Sequence, residues 1–66
     1  MRLIINGETE THPDGMTVQE LLDSLGIGER PVAVELNRKV LPGSKLKEQP
    51  LKEDDSLEIV TFVGGG

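Results

Sequence analysis

Few residues of this chain are equipped for chemistry, and the group that stands out is the terminal carboxylate of Gly66, carried on the run Gly64-Gly65-Gly66. Glycine has no Cβ, so such a run can lie extended in a slot too narrow for any other residue. The glycines follow directly on an apolar stretch that ends in Phe62 and Val63 and reads as a strand. A carboxylate tethered closely to a rigid strand suits delivery into another protein's active site, at the entropic cost of ordering the tail on docking. Taken alone, three terminal glycines equally describe a frayed end. A carboxylate is a poor acylating group, because its carbon is electron-rich and its leaving group is oxide. Adenylation by ATP supplies a better leaving group. Attack by sulfur then gives a thiocarboxylate, whose ionised sulfur is a good nucleophile. A carrier of this kind needs no catalytic side chain of its own.

The other candidates are weaker. His12 is the sole histidine, with no cysteine or second histidine to complete a ligand set, and reads as a surface residue. Glu53, Asp54, Asp55 and Glu58 form an acidic group, but the calcium-loop spacing is absent and charge runs at turns are ordinarily solvated. Paired carboxylates for acid–base work need a cleft, and a 66-residue chain has little core from which to carve one. The absence of cysteine excludes disulfides, thiolate metal ligands, iron–sulfur clusters and cysteine nucleophiles. The expectation is a protein that is not itself an enzyme and binds no metal or cofactor, with ATP used by a separate activating enzyme.

Charge narrows the partners. Asp and Glu outnumber Lys and Arg by 12 to 7, for a net charge of −5, so phosphate backbones are repelled. Phe62 is the only aromatic residue, which leaves no platform for stacking bases. No apolar run approaches membrane-spanning length and no basic, apolar leader opens the chain. The expected partners are proteins, not nucleic acid or membrane, and the expected location is cytoplasmic.

The elements that must hold the tail are punctuated in the sequence. Met1, Leu3 and Ile5 alternate as a half-buried strand, and Asn6-Gly7 is a strong hairpin signal. Glu8 to His12 reads as a charged edge strand, closed by Pro13-Asp14-Gly15. Thr17 and Glu20 form a capping box, Met16 and Leu21 a hydrophobic staple, and Val18, Leu21, Leu22 and Leu25 one apolar helix face. Gly26 suits a left-handed helix ending with Ile27 folding back on Leu22. Val32 to Leu36 alternates as a strand whose core face is Val32, Val34 and Leu36. A turn at Asn37-Arg38-Lys39 leads to a short strand at Val40-Leu41. Ser44 to Leu51 has a weak pattern, read as a helical turn with Leu46 and Leu51 inward. After the charged turn Lys52 to Asp55 comes the last strand, Ser56 to Val63.

One well-capped helix across one face of a mixed sheet of about five strands is the economical solution for this order. That is an α+β fold of the β-grasp, ubiquitin-like type over residues 1–63, with a flexible glycine tail over 64–66. On the last strand Leu57 and Ile59 face the core, so Val60 and Phe62 point the other way. With Ile4 they predict an exposed apolar patch beside the tail for binding partners. The alternative is a minor packing layer beneath the loop from Ser44 to Leu51.

Several stretches resemble the thiamine-biosynthesis sulfur carrier (ThiS) family. They are Met1 to Gly7, Thr17-Val18-Gln19-Glu20-Leu21-Leu22, Val32-Ala33-Val34-Glu35-Leu36-Asn37, Val40-Leu41-Pro42 and, above all, Asp55 through Val63 running in register into Gly64-Gly65-Gly66. Arg38 departs from the pattern, which commonly has glycine there, and leaves the turn type open. The resemblance implies that Gly66 is adenylated by an E1-like enzyme and thiolated with sulfur from a cysteine desulfurase or other donor. It implies delivery of that sulfur to thiazole synthase. Sister readings are a carrier for molybdopterin or tRNA thiolation. A ubiquitin-like modifier joined to lysines, or an interaction module with an inert tail, are readings of other classes.

Overall fold

The computed structural model describes residues 1–62. Strands β1 (Arg2–Ile5) and β2 (Glu8–Thr11) form an antiparallel hairpin in which Ile5 faces Glu8 across a two-residue turn. Asn6 and Gly7 take φ of 51° and 83°, the two positive values that a tight hairpin turn of this hand requires. Helix α1 (Val18–Ser24) follows, then β3 (Val32–Leu36), β4 (Lys39–Leu41), a 3₁₀ turn at Gly43–Lys45 and β5 (Ser56–Thr61). The sheet order is β2-β1-β5-β3-β4, with β5 in the centre, parallel to β1 and antiparallel to β3. This is the expected β-grasp arrangement.

The helix begins and ends where its caps dictate. Thr17 accepts the Glu20 N–H while the Glu20 carboxylate accepts the Thr17 N–H at 2.9 Å, so the capping box is closed. The remaining free amides of the first turn are met by the following loop: Val18 N–H donates to the Gln49 carbonyl and Gln19 N–H to the Leu46 carbonyl, both at 2.9 Å. At the other end Gly26 has φ of 80°. Ile27 N–H reaches the Leu22 carbonyl and Gly26 N–H the Asp23 carbonyl, each at 3.0 Å, which completes the Schellman ending.

Val18, Leu21 and Leu22 of α1 pack on Leu3, Ile5, Val34, Leu57 and Ile59 from the sheet, and Leu46 and Leu51 close the side of this core. Val32 and Leu36 are half-buried against it. The loop over residues 43–51 is therefore on the helix side of the sheet, tied down further by Leu51 N–H to the Met16 carbonyl at 2.8 Å. It does not lie over Val60 and Phe62. The helical turn starts at Gly43, one residue before the stretch in which the sequence places it. Val63, expected to end the last strand, and the expected flexibility of the tail over 64–66 lie outside the described residues. Among the described residues no helix is long and apolar enough to cross a membrane.

Candidate functional site

The strand that leads into the glycine run is the central strand of the sheet. β5 is clamped along one edge by β3, with pairs running from Leu36–Leu57 to Val32–Thr61. Beyond the last pair, Phe62 N–H still donates to the Pro31 carbonyl at 3.2 Å. On the other edge, Ile4 N–H bonds the Asp55 carbonyl and Asn6 N–H the Leu57 carbonyl, both at 2.9 Å. The Asn6 side chain then continues the ladder: its Oδ1 accepts the Ile59 N–H at 2.7 Å and its Nδ2 donates to the Ile59 carbonyl at 3.1 Å. Backbone support reaches Phe62, and the chain has four residues left, 63 to 66. At ~3.5 Å per extended residue, four residues span no more than ~14 Å.

The entry to β5 is set by a buried carboxylate. Asp55 is 3% exposed and accepts the Lys52 N–H at 2.9 Å, Lys52 Nζ at 2.8 Å and Asn37 Nδ2 at 3.0 Å. Asn37 Oδ1 in turn accepts the Ser56 N–H at 3.0 Å, which joins the β3–β4 turn to the start of β5. Burial pushes the Asp55 carboxyl up; the hydrogen bonds from Lys52 and Asn37 and the Lys52 charge outweigh it and hold the group below its ordinary value. The acidic residues of this region do not converge. Arg2 takes Asp54 at 2.7 Å, its backbone N–H donates to Glu53 at 2.8 Å, and Glu58 stands apart on the open face of β5. His12 Nε2 lies 2.9 Å from Glu10 Oε1.

On that open face, Val60 and Phe62 are 54% and 57% exposed. Ile4 shares the face but not their neighbourhood: it is half-buried and level with Ser56, so Glu58 and about 13 Å of strand separate it from Val60. Two residues that sequence reading alone did not place here complete the face. Ala33 stands directly opposite Val60, and Val40, 76% exposed, stands opposite Glu35. A signal for Val40 existed. A two-residue loop at Asn37-Arg38 sets Glu35 against Val40, so an outward Glu35 requires an outward Val40. The apolar surface thus runs from the root of the tail toward β4.

A mixed five-stranded sheet crossed by one helix, with the strand that precedes the glycine run at its centre, defines a ubiquitin-like β-grasp protein. Residues 2–66 match the model of the ThiS family. The chain belongs to that family. It is 34% identical over 62 residues to the sulfur carrier protein ThiS of Thermus thermophilus, covering 94% of this chain and 95% of that one. A crystal structure of the ThiS protein of Geobacter metallireducens superposes with a TM-score of 0.84 at 35% identity, with both chains fully covered. Over 66 residues the chain is 46% identical to a thiazole synthase of Paramagnetospirillum magneticum, where it spans only 20% of that protein's length.

Proposed function

We propose that this protein is a sulfur carrier for thiazole formation in thiamine biosynthesis, acting in the cytoplasm through the α-carboxylate of Gly66. The carboxylate attacks the α-phosphorus of ATP on a separate E1-like enzyme, and pyrophosphate leaves. Sulfide, or the persulfide sulfur of a cysteine desulfurase with a thiol reductant to cleave the resulting acyl disulfide, attacks the acyl carbon and displaces AMP. The resulting thiocarboxylate passes to thiazole synthase. Gly64 and Gly65 let the tail thread a narrow channel, and the protein is a co-substrate of its partners with no catalytic residue of its own.

The observation that carries this reading is the clamping of β5, by β1 and Asn6 as far as Ile59 and on the β3 edge as far as Phe62, with four residues beyond it. The strand is held by main-chain hydrogen bonds and four residues follow Phe62, so the Gly66 carboxylate is offered at a bounded distance from the sheet. Membership in the ThiS family points the same way. The match to a segment of a thiazole synthase supports that enzyme as the acceptor, because about a fifth of that protein's length resembles this chain.

The test is intact-mass measurement after incubation with the E1-like enzyme, ATP and a sulfide source. The mass should rise by the difference between sulfur and oxygen, all of it on the C-terminal peptide. No ATP-dependent gain there would overturn the reading, and isopeptide-linked conjugates in lysate would indicate a modifier instead.

A further inference from the structure

Glu35 and Glu58 stand directly opposite each other in the β3–β5 ladder, both on the open face. Like charges in such a pair are destabilising, with side chains leaving Cβ atoms about 5 Å apart. Among the described residues neither carboxylate has an ion-pair partner or a side-chain hydrogen bond. The side-chain cations that do form pairs, Arg2, Lys45 and Lys52, are spent on Glu53 and Asp54, Glu48 and Asp55. Apolar side chains flank the two carboxylates on the side of the tail and of β4: Val40 beside Glu35, Ala33 and Val60 in the next row, then Phe62 at the root of the tail. Glu58 is four residues from Phe62 on the same face, about 13 Å along the strand.

We propose that the open face of β3, β4 and β5 docks on the activating enzyme through an arginine of that enzyme seated between Glu35 and Glu58, with an apolar socket for Val60 and Phe62. The proposal rests on the carrier reading, since it takes the protein that receives the tail to be the one that covers this face. Two features favour a protein that receives the tail, of which the activating enzyme is the first in the proposed cycle. The tail is short, so a protein that seats the Gly66 carboxylate within ~14 Å of Phe62 must itself lie against the end of β5. A footprint of about 800 Å² per partner, ordinary for a specific complex, then reaches the acidic row. The second feature is charge complementarity. A planar guanidinium has five donors and is weakly hydrated, so it can satisfy two carboxylates at once on an apolar floor better than an ammonium can. The repulsion that costs the free protein stability becomes attraction once the cation is in place.

The experiment uses the E1-like adenylating enzyme from the source genome and compares the parent chain, E35Q/E58Q, and the equal-charge control E8Q/E48Q at two ionic strengths. E35Q/E58Q should bind at least about tenfold more weakly at low salt and show a shallower salt dependence. Its unfolding midpoint should equal or exceed that of the parent, which separates lost docking from lost folding. The control should bind like the parent. Parent-like affinity and salt dependence for E35Q/E58Q would overturn the proposal, and so would an equal loss in the control, which would mean long-range steering by net charge. If the parent gains no sulfur and does not bind, the carrier reading itself fails and the proposal goes with it.

Discussion

The side-chain amide of Asn6 hydrogen-bonds both backbone groups of Ile59, accepting at 2.7 Å and donating at 3.1 Å. β1 ends at Ile5 because the chain must turn at Asn6-Gly7, while β5 runs on past it. The amide stands in for the next residue of β1 and keeps the central strand paired on both edges. Asn6→Ala should leave both Ile59 groups without these partners and destabilise the fold by about 2 kcal/mol. Urea unfolding would measure the loss, and amide exchange at Ile59 should accelerate more than exchange at Leu21.

Asp55 gives the stability a dependence on acid. Its carboxyl sits below its ordinary value in the folded protein, so ionised Asp55 stabilises the fold above its unfolded pKa of about 3.9. That contribution is lost as pH falls through the lower folded value. Asp55→Asn should cost about 2 kcal/mol at neutral pH, since an amide nitrogen cannot accept from Lys52 or Asn37. It should also flatten the fall in unfolding free energy below about pH 4. A variant with the parent's stability and acid profile would show that Asp55 does not anchor β5.

Arg38 sits at φ of 70°, following Asn37 at 50°, in the two-residue turn between β3 and β4. Both positions have the positive φ of a tight hairpin turn, which settles the turn type that the sequence left open. For a side chain with a Cβ this conformation costs about 1–2 kcal/mol, partly offset in glycine by greater freedom when unfolded. Arg38→Gly should therefore raise stability by up to about 1 kcal/mol, read as a higher midpoint at an unchanged denaturant slope.

What was legible in the sequence was whatever had a local cause. Thr17 with Glu20 and Gly26 with Ile27 marked both ends of the helix because caps are satisfied within a few residues. Alternation in β3 and β5 marked the inward faces at Val34, Leu57 and Ile59. The segment over 43–51 was faint because main-chain bonds hold it to the helix start, at Val18, Gln19 and Met16, and such bonds leave no side-chain pattern. Asn6 read as a turn residue, yet its second partner lies 53 positions away. Alternation along the strands groups Ile4 with Val60 by parity alone, which gives the face of the sheet but not the register between strands.

Phe62 should behave as a binding residue rather than a packing residue. It is 57% exposed, and the loop that would have covered it lies on the helix side of the sheet. Phe62→Ala should change stability by less than about 1 kcal/mol while weakening binding to the activating enzyme by about 2 kcal/mol. Ile4→Ala, at the far end of the same face, should affect that affinity less. A stability loss at Phe62 with unchanged affinity per folded molecule would assign it to packing.

The tail variants test the chemistry most directly, because each alters one property of the presented group. Deleting Gly66 leaves a carboxylate on Gly65 but draws it back by one residue, ~3.5 Å, more than a reacting atom tolerates. Adding one residue after Gly66 displaces the group by the same length and, unless that residue is glycine, adds a side chain beside it. Gly65→Ala keeps the carboxylate in position and adds one methyl to the tail. Deletion and extension should abolish ATP-dependent thiolation, and Gly65→Ala should slow it, while all three should unfold like the parent, since the core among the described residues is complete by Ile59. If the three variants were thiolated at the parent's rate, the position of the carboxylate would not matter, and the protein would be an interaction module with an inert end.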